Sequence, residues 1–265
     1  TGVDCSSAIT STTSRLVVDP DLKPELEAMA GNEAKIEDAF YKDLEFGTAG
    51  LRGVIGAGTN RMNVYIVARA SQGLSNYVIN HFAPEERRIA ISYDSRIKSD
   101  VFAKIAAEVF AANGIKAYIF PQLMPVPCVS YATRYLKCAA GIMVTASHNP
   151  SKYNGYKVYG ADGCQMTTAA ANEVLGEIEK LDLFADSKKI PFEEGLKAGN
   201  IEWIPEEVYT AFVEEVKKQS VVGDAEINKD VAIVYSPLNG AGCCLPSISL
   251  RRRGRKPSLL PAEPV

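Results

Sequence analysis

The sequence predicts an α/β protein, a layered α/β/α sandwich with a mixed sheet, on three observations. Three apolar runs, Arg88 to Tyr93, Ile115 to Phe120 and Ala139 to Thr145, have the length of buried strands. Helical patterns separate them, one opening at Ser99 or Asp100 as cap and ending at Ala112, one near Val129 to Leu136. Gly114 and the Pro125-Val126-Pro127 break mark where these elements stop and start. Strands alternating with helices build a sheet covered on both faces.

The remaining elements follow in chain order. Thr1 to Thr13 is rich in Ser and Thr and reads as a frayed or processed end. Asp19 suits a helix N-cap and Pro20 the first helical position. A second helix is expected over Glu33 to Asp43, so residues 1–44 form a helical extension. The segment Gly47-Thr48-Ala49-Gly50-Leu51-Arg52-Gly53, running on to Gly56 and Gly58, is too rich in glycine for a helix. Val64, Ala68, Leu74, Val78 and Phe82 recur near helical spacing and predict a long helix over Asn63 to Phe82. Gly160-Ala161-Asp162-Gly163 reads as a hairpin turn between short strands, and Thr167 or Thr168 caps a helix through Leu181.

Residues 45–190 thus form one α/β domain. Asp182 to Pro205 is polar and irregular and reads as a linker. A second unit, 205–243, opens with a helix over Glu206 to Gln219, a strand Val231 to Tyr235 and the turn Asn239-Gly240-Ala241-Gly242. Beyond Cys243 the texture changes to Arg251-Arg252-Arg253-Gly254-Arg255-Lys256 and scattered prolines. Residues 244–265 are expected to be a disordered tail resembling an out-of-frame ending, leaving the second α/β domain incomplete.

Bulk properties narrow the functions. A net charge of -3 and a pI of about 5.6 leave no basic face for a nucleic-acid partner. The six cysteines include no Cys-x-x-Cys pair and only two histidines accompany them, which argues against a zinc site. No signal peptide or long apolar span is seen, so no membrane partner is expected and the location is expected to be cytoplasmic.

The chemistry concentrates in Thr145-Ala146-Ser147-His148-Asn149-Pro150. A buried strand delivers Ser147 to its carboxyl end, and Asn149-Pro150 forces a turn. In open α/β sheets that edge is where ligands bind. Taken alone, the string also fits an ordinary Asn-Pro turn with a structural histidine. A hydrolase relay is not expected, since the other histidine, His81, lies within a helical pattern.

Extended through Ser151-Lys152-Tyr153-Asn154-Gly155-Tyr156-Lys157, the string resembles the active-site loop of the α-D-phosphohexomutases, which include phosphoglucomutases and phosphomannomutases. Gly47 to Gly53 and Tyr93-Asp94-Ser95-Arg96 resemble two further family segments. The resemblance runs from about Asp19 to about Cys243 and implies the first of four domains around a cleft, with the opening of the second.

The resemblance also implies roles. Ser147 would carry a phosphate, hand it to a free hydroxyl of a sugar monophosphate, and recover the other phosphate from the bisphosphate intermediate. Lys157 would be the general acid or base, its pKa lowered by neighbouring cations. Arg52 would contact the phosphoryl group with its guanidinium fork. His148 would polarise the donor or shuttle a proton; ordering the loop is an equal reading. Arg96 is a candidate for phosphate neutralisation, although a salt bridge to Asp94 or another acid explains that arginine better. Tyr153 and Tyr156 are expected to pack rather than react.

The implied cofactors are Mg²⁺, with the Ser147 phosphate as one ligand, and glucose 1,6-bisphosphate as activator. The family's three aspartate ligands come from an Asp-x-Asp-x-Asp-Arg loop, and no such string occurs here. Asp19-Pro20-Asp21 is superficially similar but reads as a helix cap. The chain alone is therefore expected to be inactive. Glucose 1-phosphate to glucose 6-phosphate is the first expectation, with mannose or pentose phosphate open and the oligomeric state undetermined. The alternative is a non-catalytic phosphosugar-binding or regulatory fragment. Gly240-Ala241-Gly242 gives only Gly-x-Gly-x-x-Leu, a poor dinucleotide fingerprint.

Overall fold

The computed structural model describes residue 13 and residues 15–47, 50–221 and 236–242. The expected strand Val231 to Tyr235, the Ser/Thr-rich start through residue 12 and everything from Cys243 onward lie outside the described residues.

Two short helices come first, α1 (Leu22–Met29) and α2 (Glu33–Phe40). Asp19 caps the start of α1 as expected: its carboxylate accepts the Asp21 amide at 2.8 Å and its carbonyl accepts the Lys23 amide at 3.3 Å, with Pro20 between them in the first turn. Asp21 already has helical backbone angles and pairs with Lys98 at 2.9 Å. Asn32 caps α2, accepting from Lys35 N, and α2 stops short of Asp43. Leu22, Leu26, Met29, Ile36 and Ala39 form a satellite core with Val17 and Ala57.

Strand β1 (Gly50–Val54) leads to α3 (Val64–His81), capped by Asn63, whose side chain accepts from the amides of Tyr65 and Ile66. Then come β2 (Arg88–Tyr93), α4 (Ser99–Ala112) and β3 (Lys116–Ile119). Neither Ser99 nor Asp100 caps α4. Lys98 occupies the N-cap position in a left-handed conformation, φ 61°, without a capping bond, and the Ser99 hydroxyl is committed to Asp94 at 2.9 Å. Gly114, φ 72°, supplies the expected left-handed exit. Helix α5 (Val126–Tyr135) begins directly after Pro125, earlier than the pattern suggested, and leads to β4 (Ala140–Val144) and β5 (Tyr153–Gly160). The turn after Gly160 closes by a Gly163 N to Gly160 O bond of 2.9 Å and returns only to an isolated bridge, Tyr159 to Gln165. Thr167 caps α6 (Thr168–Glu179) through its hydroxyl.

The expected linker is structured instead. It holds α7 (Phe192–Lys197) and β6 (Ile201–Trp203), and β6 pairs parallel with β3 as an edge strand. Helix α8 (Glu206–Lys218) follows, and its Phe212 ring packs against Tyr131 of α5 at 5.5 Å. What begins at Glu206 therefore lies against the first sheet's own helix layer.

The described strands form one sheet in the order β1-β5-β4-β2-β3-β6. β1 and β5 run antiparallel to their neighbours and the others pair parallel, so the sheet is mixed. Alternate residues feed two cores. Ile89, Ile91, Ile142 and Val144 face α3, α4 and α6, while Ala90 and Met143 face α5 and α8. Burial on both faces explains why β4 reads as an uninterrupted apolar run.

The chain leaves β2 toward β3 and leaves β4 toward β5, in opposite directions across the sheet. That reversal opens a crevice at the carboxyl ends of β2 and β4, the usual ligand position in such sheets.

Gly155 of β5 sits under this edge. A Cβ there would meet Thr145 O at 2.6 Å and Leu51 O at 2.8 Å, both backbone atoms that cannot swing away. Gly155→Ala is expected to cost about 1–3 kcal/mol by overpacking, read as a fall in the urea midpoint. A variant as stable as the wild type would show that β1 and β4 part easily here.

Candidate active site

Ser147 is exposed, one residue past the buried Ala146, and its backbone is left-handed at φ 57°. That conformation is uncommon for a residue with a Cβ and persists only where surroundings impose it. Two sets of contacts do so. The Ser147 amide donates to Thr145 Oγ1 at 2.9 Å, and Thr145 Oγ1 lies 2.6 Å from Asp94 Oδ2. Arg96 meets the loop from the other side. Its Nη2 donates to the carbonyls of Ser147 (2.6 Å) and Asn149 (2.7 Å). Its Nη1 donates to those of Pro150 and Tyr153, each at 3.1 Å.

Arg96 therefore grips four carbonyls across the loop. Its Nε lies 3.6 Å from Asp94 Oδ2, and both side chains are largely buried. The structure places Arg96 behind the Ser147 loop, with its donors committed to backbone.

The Asp94 carboxylate ties the loop to its neighbours. Oδ1 accepts from Arg96 N at 3.1 Å and from Ser99 Oγ at 2.9 Å. Ser99 Oγ in turn accepts from Asn154 Nδ2 at 3.0 Å, in β5. His148 is exposed, with Nδ1 3.4 Å from Ser147 Oγ, a long contact open to tightening around a ligand. Tyr156 is fully buried, its hydroxyl 3.0 Å from Ser71 Oγ, and packs as expected.

Arg52 and Lys157 come together on the sheet edge. In the β1/β5 register Arg52 stands opposite Gly155 and Lys157 opposite Gly50, so both project from the same face. Across the β1/β5 pairing each cation faces a glycine, while on its other side Lys157 is flanked by Met143 of β4. Both line a cavity of about 860 Å³ together with Lys42, Arg61, Lys152 and Tyr153. The lining carboxylates are already paired, Glu45 with Lys42 at 2.9 Å and Asp38 with Arg61. Among the described residues, Arg52, Lys152 and Lys157 have no salt-bridge partner, which leaves the cavity with an excess of positive charge. Arg52 Nη1 reaches from this wall to Asn149 Oδ1 at 3.4 Å, linking the cavity to the Ser147 loop.

Other chemistries find less support. Burial pushes the thiols of Cys128 and Cys138 up to about 12, too high for ready thiolate formation. His81 lies in α3 and pairs with Glu173 at 2.9 Å. Among the described residues no three His, Cys, Asp or Glu side chains converge to hold a metal ion. The acid tied to the Ser147 loop, Asp94, is committed to Thr145, Ser99 and Arg96. The described residues thus hold no carboxylate cluster that would fit Mg²⁺. No described helix is long and apolar enough to cross a membrane.

The chain thus combines a mixed α/β/α sandwich with an exposed serine at the sheet's switch point and a cation-rich cavity beside it. The family model described as phosphoglucomutase/phosphomannomutase, alpha/beta/alpha domain I, matches residues 43–184, and the chain belongs to that family. It is 38% identical over 206 residues to the phosphoglucomutase of Staphylococcus haemolyticus, covering 78% of this chain and 36% of that protein. It is 41% identical over 152 residues to a probable phosphoribomutase of Schizosaccharomyces pombe, covering 57% of this chain and 26% of that protein. The solved structure of a putative phosphomannomutase from Thermus thermophilus shares the fold, with a TM-score of 0.65 at 24% identity over 82% of this chain and 46% of that one. The chain spans about a third of the length of the curated relatives it matches.

Proposed function

We propose that this chain carries the phosphoserine half of a phosphosugar mutase, with Ser147 as the residue that holds the phosphoryl group. The observation that carries the reading is the exposed Ser147, fixed in a left-handed turn at the carboxyl end of β4, beside a cavity whose Arg52, Lys152 and Lys157 have no salt-bridge partner among the described residues. The Ser147 Oγ–P bond breaks as a sugar hydroxyl oxygen bonds to phosphorus; that hydroxyl's proton passes to Lys157 in its neutral amine form, and the departing Ser147 Oγ takes up a proton from the His148 imidazolium beside it. Reversal on the other phosphate of the bisphosphate product restores phosphoserine and releases the isomer. Catalysis of this kind is mostly positioning and charge neutralisation, the roles available to Arg52, Lys157 and His148.

Glucose 1-phosphate is the proposed substrate, since the similarity to a phosphoglucomutase spans 78% of the chain. A pentose phosphate is the second reading, favoured by the 41% identity to a probable phosphoribomutase. The ratio of kcat/KM for the two sugar phosphates, measured on a full-length enzyme that contains this chain, decides between them.

The phosphoserine itself is tested by incubating the protein with labelled glucose 1,6-bisphosphate and mapping the label by mass spectrometry. Label is expected on Ser147 and absent from Ser147→Ala. Label that persists in that variant overturns the reading.

A further inference from the structure

The Thr145 hydroxyl has one proton and two faces to satisfy. The Ser147 N–H at 2.9 Å can only donate to it, so the hydroxyl proton points to Asp94 Oδ2, 2.6 Å away. The amide sets the direction of the whole chain: Asp94 accepts from Thr145, and Thr145 accepts from Ser147 N–H. Asp94 is itself held by the amide of Arg96 and the hydroxyl of Ser99. Thr145 is buried, at 4% exposure, so no water substitutes for its hydroxyl without cost.

From this geometry we infer that Thr145, oriented by Asp94, is the positioning residue that selects the left-handed conformation of Ser147. The inference rests on the reading of Ser147 as phosphoryl carrier. It goes beyond that reading in one respect. The inward bond commits the Ser147 amide to Thr145, so that amide is not free to meet a phosphoryl oxygen. Charge on the transferred group is then met by side chains, Arg52 and Lys157 first, rather than by the serine's own backbone as in an oxyanion hole. Arg96 grips the Ser147 carbonyl and those beyond it, so it supports the same turn from the far side while the Ser147 amide is held by Thr145.

The test compares Thr145→Val, which keeps shape and removes the hydroxyl, with Thr145→Ser, which keeps the hydroxyl. Three quantities are measured on the full chain: the melting temperature, hydrogen exchange of the Ser147 amide by NMR, and the rate of Ser147 labelling by glucose 1,6-bisphosphate. In Thr145→Val the Ser147 amide is expected to exchange about tenfold faster, as for one lost hydrogen bond. Labelling is expected to slow by about 10²-fold, the scale of a misplacement near 1 Å. Thr145→Ser is expected to restore both. Wild-type exchange at Ser147 in Thr145→Val overturns the inference, as does a wild-type labelling rate in that variant. Should the wild type itself take no label, the phosphoserine reading fails and the exchange comparison alone decides on Thr145. A Thr145→Val protein that does not fold shifts the comparison to Thr145→Ser against Thr145→Ala, with the same outcomes.

Discussion

Arg96→Ala is expected to be the most destabilising single change near the site, lowering stability by about 3–5 kcal/mol, as for removal of one partner of a buried ion pair. The guanidinium donates to four carbonyls, of Ser147, Asn149, Pro150 and Tyr153, and faces Asp94 at 3.6 Å. Its side chain is 13% exposed, so solvent does little to replace it. A hydrogen bond to a charged group contributes about 1.5–3 kcal/mol. Four such bonds to one short loop share a single geometry, so their contributions do not add. Alanine would leave four carbonyls without this donor and the Asp94 carboxylate without its nearest cation. Arg96→Lys is expected to recover little, because an ammonium lacks the planar fork that spans four acceptors. Urea denaturation measures the effect. A midpoint within about 0.5 kcal/mol of wild type, the range of ordinary surface substitutions, would show that the loop holds its path without the clamp.

This arginine also marks where sequence reasoning stopped. The strand-to-loop placement of Ser147 was legible, because a continuous apolar run ending in Asn-Pro is a local signal. The meeting of Arg52 with Lys157 could be expected only from the family resemblance, and the β1/β5 register now gives it a geometric cause. The clamp was not legible. Arg96 lies 51 to 57 positions before the carbonyls it grips, and backbone carbonyls leave no trace in residue type. Its partner was correctly anticipated in Asp94, yet the carboxylate's bond to Thr145 joins residues 51 apart. Ser99 misled for the same reason: a good cap residue was diverted to Asp94 by tertiary structure. The segment 182–205 misled differently. A six-residue helix and the edge strand Ile201–Trp203, buried only at Ile201, are too short to show a period.

The largest expected effect on chemistry belongs to Lys157. Lys157→Met is expected to reduce the rate of phosphoryl transfer from Ser147 to a sugar hydroxyl by about 10²–10⁴-fold, the usual contribution of a positioned general acid or base. Sugar phosphate affinity should fall far less, since Arg52 and Lys152 remain on the same cavity wall. Lys157 sits in β5 between Gly50 of β1 and Met143 of β4, so strand pairing on both sides fixes its backbone. The glycine opposite leaves its ammonium open to the cavity, and no described carboxylate competes for it. Two explanations of a lost rate must be separated, loss of a charge and loss of a transferable proton. Lys157→Arg separates them. The guanidinium keeps the positive charge but does not release a proton near neutral pH. Single-turnover transfer from phosphorylated Ser147 to glucose 1-phosphate is measured in both variants, with dissociation constants measured in parallel. If Lys157 moves a proton, Arg and Met are both slow while Arg binds as the wild type does. If Arg restores the rate, Lys157 serves only as a charge. An unchanged rate in Met would leave it a bystander on the cavity wall.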